Sequence, residues 1–274
     1  MRNWFNIILL SFLLSFAWGV EKVEATPQIS AAAAIVMDAQ TGEVLYQKNA
    51  FQQKAPASTT KILTAILAIE SGFLDEIVTV SENAAAIGEA SLHLKPGDQL
   101  LLRELVWGAL LKSGNDACVA IAEFLTPSEI EFVGLMNLKA QLLGAFQTTF
   151  YNSNGLPHPY HLTTAYDLAI ITRYALQNST FRDMVATRSY RIKWLNSEKT
   201  LFVKNTNRLL WSYPEITGVK TGTTIQAGKC LVASALYGQL HLIAVVLDSR
   251  NRYEDAYRLL KYGIKIKEIQ VYAK

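Results

Sequence analysis

Ser58 and Lys61 stand three residues apart in the stretch APASTTKILT, residues 55–64. On a helix, positions three apart share a face, so hydroxyl and amine can approach each other. Serine is a poor nucleophile until a base takes its proton. A neutral lysine can be that base if burial or a neighbouring cation lowers its pKa. The plainer reading makes Ser58 a helix cap. A cap prefers Glu or Gln three residues on, and a lysine there costs roughly a few tenths of a kcal/mol against the helix dipole. Capping explains the serine and leaves the lysine unexplained.

Two further clusters carry chemistry. Ser113-Gly114-Asn115 lies between two apolar helical patterns, and as a lone feature it is a polar turn. Ser81-Glu82-Asn83 has the same form but opens an alanine run and is expected to start a helix. Lys220-Thr221-Gly222-Thr223-Thr224 lies on a β-prone run. A lysine and hydroxyls on an edge strand can grip a carboxylate, and Gly222 is expected to let a substrate backbone lie close.

The elements that must position these groups follow from periodicity. Ala31–Asp38 and Glu43–Lys48 form a hairpin with Gly42 at its turn. Ser58–Glu70 repeats apolar residues at the helical period and stops at Gly72. Leu101–Leu111, Asp116–Phe124 and Glu129–Leu143 are expected to be helices; so is Thr164–Leu176, opened by Thr164 with Asp167 three later. Asn152–His158 is a loop rich in Asn, Gly and Pro. Tyr190–Trp194 and Leu201–Val203 are short strands. Thr217–Thr224, Lys229–Tyr237 and His241–Leu247 make an antiparallel meander joined at Gly228 and Gly238. Tyr253–Tyr262 is a last helix. Strands at both ends bracket a helical middle, which implies one α/β (α+β) domain whose antiparallel sheet joins hairpin to meander.

Composition bounds the function. The chain has 274 residues, 50% hydrophobic and 18% charged, with net charge +3 and no long Lys/Arg run, which argues against a nucleic-acid binder. Arg2 followed by the apolar run Trp4–Val20 and by Val23-Glu24-Ala25 has the form of a secretory leader over 1–25. The run is short of the roughly 20 apolar residues of a spanning helix; retention as an anchor is the alternative to cleavage. Residues 26–262 are then the working domain and 263–274 a short tail. Cys118 in an apolar helix and Cys230 in an apolar strand are expected to be buried thiols. The four His are scattered without metal-ligand spacing, so neither metal nor organic cofactor is expected.

In chain order the clusters read S-x-x-K, S-x-N and K-T-G. The chain therefore resembles the serine penicillin-binding proteins and β-lactamases, and more closely the secreted D-alanyl-D-alanine carboxypeptidases of bacterial cell walls. The resemblance runs from Ala31 to Tyr262. It includes Leu110–Cys118, Asn152–Ala169, Gly218–Thr224 and Ala227–Ala235. It implies the β-lactamase/transpeptidase-like fold, and a stem peptide ending in D-Ala-D-Ala as substrate. Penicillins would be covalent inhibitors, and the site of action the cell wall or the outer face of the cytoplasmic membrane. By resemblance, Ser58 is the nucleophile, Lys61 its base, and Ser113 the relay to the leaving D-alanine with Lys220 beside it. Asn115 orients Lys61 or binds the substrate amide. The backbone N–H groups of Ser58 and Thr223 form the oxyanion hole. Thr221, Thr223 and an arginine hold the terminal carboxylate; Arg252 fits by its distance before Leu259-Leu260, with Arg250 as rival. Many relatives continue into a β-rich domain and a membrane-binding helix, and close ones carry His where this chain has Thr223. His161 is expected to be a structural hydrogen-bonding residue.

Two alternatives belong to other classes. A β-lactamase needs a group that speeds deacylation, often a Glu on a loop ahead of the K-T-G strand. No Glu-x-x-x-Asn stands there, and Glu131 is expected in a core-packed helix. A binding module that acylates without turnover is the other; the intact Ser58, Lys61, Ser113, Asn115 and Lys220 argue against loss of chemistry.

Overall fold

Beside β7 (Ile216–Thr224), which is rich in Thr and Gly, strands β8 (Gly228–Tyr237) and β9 (Leu240–Ser249) are apolar along most of their length. A strand reads that way when both its faces are covered. The computed structural model, which describes residues 26–272, shows both covers. The hairpin β1 (Ala33–Asp38) and β2 (Val44–Lys48) joins the meander in one antiparallel sheet of order β2-β1-β9-β8-β7. The expected leader over 1–25 lies outside the described residues.

Alternate residues face opposite layers. Ile35, Val232, Ile243 and Val245 point into a large core. That core is shared with α1 (Lys61–Glu70), α3 (Leu102–Trp107), α4 (Asn115–Leu125), α5 (Glu129–Leu142), α6 (Ala165–Ala175) and α7 (Ser179–Ala186). Val36, Leu231, Ala233, Ala244 and Val246 point the other way, onto Ala256, Leu259 and Leu260 of α9 (Arg252–Tyr272). Burying such aliphatic side chains contributes about 1.5–3 kcal/mol each, so the period-2 pattern fixes the register of the sheet against both layers. Short pairs complete the fold: β3 (Ile77–Thr79) with β4 (Gln99–Leu101), and β5 (Ser189–Lys193) with β6 (Thr200–Lys204). So do the small helices α2 (Glu82–Ala86) and α8 (Leu209–Ser212).

Three expected elements differ. Ser58 does not cap a helix: residues Ala57–Thr60 form a 3-10 turn, and α1 begins at Lys61 with no side-chain cap. The helix expected over Leu101–Leu111 ends at Trp107 and widens into a π-helical turn, Gly108–Lys112. The last helix runs ten residues past Tyr262. Gly263 looks like a stop in sequence, yet a Cβ there would stand 2.9 Å from Val36 and 3.0 Å from Leu242. It is a glycine of close helix–sheet packing, and Lys267 beyond it bonds Asp38 at 2.9 Å and Glu43 at 2.6 Å. Ser81 does cap α2, accepting from the Ala84 N–H at 2.9 Å.

Candidate active site

The 3-10 turn brings Ser58 to the junction between sheet and helical layer. Ala57 before it has φ +49, a conformation that costs a non-glycine residue energy. The turn is clamped from two sides. A Cβ on Gly222 of β7 would lie 2.9 Å from the Pro56 carbonyl oxygen and 3.1 Å from the Ser58 nitrogen. Gly155, at φ +89, packs against the same peptide from the other side. The missing side chain of Gly222, expected to admit a substrate backbone, makes room for the turn that carries Ser58.

Lys61 turns inward and is fully buried. Its Nζ lies 2.9 Å from Ser58 Oγ, 2.8 Å from Asn115 Oδ1 and 2.5 Å from the Asn154 carbonyl oxygen. Asn115 Nδ2 donates to the Gly88 carbonyl at 3.1 Å, which settles the orientation of that amide. Two of the three partners are thus oxygens that can only accept. A neutral amine gives its two N–H bonds to them and leaves its lone pair to the Ser58 hydroxyl. Burial lowers the Lys61 pKa to about 8, although Cys118, Asp116 and Glu89 oppose the shift. The sequence left burial or a second cation as the cause; burial is the one that acts on Lys61. The second cation acts on its neighbour instead. Lys220 is pushed well below the usual lysine range by burial, then by Lys61, with Arg252 adding to it.

Ser113 ends the π-helical turn at φ +68 and is nearly buried. The wide turn and left-handed exit aim its hydroxyl at Lys220, whose Nζ donates to Ser113 Oγ at 3.0 Å and to the Thr221 carbonyl at 3.2 Å. Asn115 opens α4 directly after. Asp116 beside it is buried and accepts from Ser91 Oγ at 2.6 Å and from the N–H groups of Leu92 and Leu94, tying the preceding loop to the site.

Arg252, the first residue of α9, reaches the end of β7. Its Nη1 donates to Thr223 Oγ1 at 2.7 Å and to the Gly222 carbonyl at 2.8 Å. Tyr253 follows, its hydroxyl donating to the Thr206 carbonyl at 2.9 Å, and Thr206 Oγ1 pairs with Thr221 Oγ1 at 2.7 Å. Arg250 is exposed and is bonded through its backbone to Lys229 and Ser30. Of the two arginines, Arg252 is the one whose side chain reaches β7.

Other expected residues fall as follows. His161 is buried, its Nε2 2.9 Å from Thr60 Oγ1 and its Nδ1 accepting from the Tyr151 N–H at 3.2 Å. Burial lowers its pKa to about 4, with His158 and Lys61 adding to the effect. Cys118 and Cys230 are free, buried thiols; burial pushes them up to about 12 and about 11. Glu131 is exposed on the first turn of α5, the helix that packs Phe132, Met136 and Ala140 into the core. Asn154, Gly155, Asp116, Thr206 and Tyr253 were not expected at the site. An Asn-Gly turn is visible in sequence, but no local signal marks a backbone carbonyl as the partner of a distant lysine.

Ser58, Lys61, Ser113, Asn115, Lys220 and the Thr221–Thr223 strand therefore converge where α1, α4 and β7 meet. A family model described as D-alanyl-D-alanine carboxypeptidase matches residues 20–251. The D-alanyl-D-alanine carboxypeptidase DacF of Bacillus subtilis is 40% identical over 251 residues, 89% of this chain and 64% of that one. A D-alanyl-D-alanine carboxypeptidase of Streptomyces is 35% identical over 259 residues, 88% of this chain and 89% of that one. A solved variant of a Streptomyces DD-transpeptidase superposes with a TM-score of 0.84 at 34% identity, covering 88% of this chain and 100% of that one. The chain thus spans about two thirds of the Bacillus relative and nearly all of the Streptomyces one, and its sheet flanked by helices is the β-lactamase/transpeptidase fold. On its sequence and its fold together, the chain belongs to the D-alanyl-D-alanine carboxypeptidase family.

Proposed function

We propose that this chain is an exported serine carboxypeptidase that removes the terminal D-alanine from peptidoglycan stem peptides through an acyl-enzyme on Ser58. One observation carries the reading: a buried Lys61 amine, with its pKa lowered to about 8, stands 2.9 Å from Ser58 Oγ. Lys61 accepts the Ser58 proton as Oγ attacks the D-Ala–D-Ala carbonyl. The backbone N–H groups of Ser58 and Thr223 stabilise the oxyanion, a contribution usually worth about 100- to 1000-fold in rate. The carbon–nitrogen bond breaks, and the leaving amine takes a proton from Ser113, which is replaced by the one that Lys61 took from Ser58, so that Lys61 is neutral again; Lys220 holds the Ser113 hydroxyl. Thr221, Thr223 and Arg252 grip the α-carboxylate. Water then attacks the ester, with Lys61 taking its proton and passing it to Ser58 Oγ as the ester bond breaks, which restores the free enzyme. No metal or organic cofactor enters any step. Penicillins mimic the scissile peptide and leave the ester in place. Export rests on the leader over 1–25, with the domain beginning at residue 26.

The test is direct. The purified protein is incubated with a fluorescent penicillin and, separately, with a peptide ending in Lys-D-Ala-D-Ala. A covalent label absent from Ser58→Ala, and release of one D-alanine per peptide, are the expected results. Neither label nor D-alanine would sink the reading. Rapid penicillin turnover would make the chain a β-lactamase; a stable label without D-alanine release would make it a binding module.

A further inference from the structure

Beside the Thr223 end of β7 lies a concavity of about 480 Å³, lined by Arg208, Lys229, Arg250, Asn251, Arg252, Tyr253 and Glu254. Two relationships tie it to the site. Lys229 stands directly across the β7–β8 ladder from Thr223, so the two side chains share a face. Arg252 extends from the pocket wall to Thr223 Oγ1.

The charge of this pocket is unbalanced. Four cations face one carboxylate, and that carboxylate, Glu254, accepts from Arg258 at 2.7 Å. The nearest other acids are engaged: Asp248 pairs with Lys54 at 3.1 Å, and the buried Asp255 accepts from the Ser30 and Ser249 hydroxyls at 2.7 Å each. Among the described residues no carboxylate forms an ion pair with Arg208, Lys229, Arg250 or Arg252. Like charges gathered in a concavity repel one another, and a bound anion relieves that repulsion. A peptide α-carboxylate gripped by Arg252 and Thr223 uses one of the four cations and leaves three. Guanidinium forks match the oxygens of a phosphate two at a time, and a lysine adds a point charge. Arg208 and Arg252 are both held over the Tyr253 ring, at 5.9 and 5.0 Å from its centroid, which limits their freedom before any ligand arrives.

We propose that this pocket binds a phosphate-bearing anion beside the position of the substrate carboxylate. The inference rests on the carboxypeptidase reading only in taking the Thr223–Arg252 contact as the carboxylate grip. The phosphate can come from free inorganic phosphate or from a phosphodiester polymer, and the chemistry of recognition is the same.

The experiment is calorimetric titration of the purified protein with inorganic phosphate and with a glycerol phosphodiester oligomer, at constant ionic strength set with chloride. Saturable binding with one site per chain is expected, weakened at least 10-fold in the Arg208→Ala/Lys229→Ala double variant. Both residues are exposed, and an unchanged thermal transition in the variant would show that it is folded. Tighter binding of the oligomer identifies a polymer as the source; equal or weaker binding identifies free phosphate. Absence of saturable binding, or equal affinity in the double variant, overturns the proposal. A protein that binds the anion but releases no D-alanine would sink the carboxypeptidase reading and leave this one standing.

Discussion

Gly155 lies so close to Ala57 that a methyl group on its α-carbon would fall 1.9 Å from the Ala57 carbonyl oxygen. The two residues are remote in sequence, yet one is the wall against which the nucleophile's turn is set.

That contact makes Gly155→Ala a test of how the turn is held. Overpacking costs about 1–3 kcal/mol, and φ +89 adds strain for alanine. Chemical unfolding is expected to show a loss in that range, and labelling by penicillin should slow at least 10-fold in the molecules that remain folded. Normal labelling at normal stability would mean the turn has room the geometry denies.

Lys61→Ala should keep the fold and lose acylation by about 100-fold or more, the usual scale for removing a general base. The wild-type rate should also report this group. The base must be neutral, and burial brings its pKa down to about 8. Acylation is therefore expected to rise as pH rises through about 8 and to level off above it. A flat profile over pH 6–10 would assign the base elsewhere.

His161 has an effect on stability rather than on rate. Its folded pKa, about 4, is below the usual value of 6.5. Between those values the unfolded chain takes up a proton that the folded chain refuses, so stability falls as pH drops from about 6.5 towards about 4. Unfolding measured across that range should show the slope in wild type and less of it in His161→Gln. An equal slope in both would place the proton uptake on another group.

Arg252→Ala should raise KM for a peptide with a free terminal carboxylate by about 10-fold, the scale of one hydrogen bond to a charged group. A peptide amidated at that end should be cleaved no worse by the variant than by wild type. If both substrates suffer equally, Arg252 shapes the strand and does not hold the ligand.

Lys267→Ala tests the last ten residues of α9. Its ammonium bridges Asp38 at 2.9 Å and Glu43 at 2.6 Å across the β1–β2 turn. A loss of about 1 kcal/mol is expected in denaturant unfolding, with no change in D-alanine release. No measurable loss would make the helix extension an ornament on the sheet.

Much of this was legible in the sequence. The β-prone runs at the two ends of the chain carry glycines at their turns, so hairpin and meander could be drawn before any coordinates. Ser58, Lys61, Ser113, Asn115 and Lys220 could be named because residue type and order survive in a string. What could not be read is carried by backbone and by contact at long range. The Asn154 carbonyl has no side-chain signature. Gly263 looks like a helix stop until its neighbour is seen to be a sheet. Ser58 looks like a cap because a 3-10 turn and a helix start use the same residues. The cause of the Lys61 shift needed depth of burial, which a sequence does not report.

The Ser58 turn is pinned by Gly155 from a loop and by Gly222 from the far edge strand of the sheet. Neither pin exists until the helical layer, the loop and the meander have all closed on one another. A misassembled or partly opened chain keeps every reactive side chain and has no place to hold them. On the proposed acyl-enzyme chemistry, a covalent label on Ser58 is therefore a census of native molecules, so that titrating the serine in a crude extract would count the folded fraction directly.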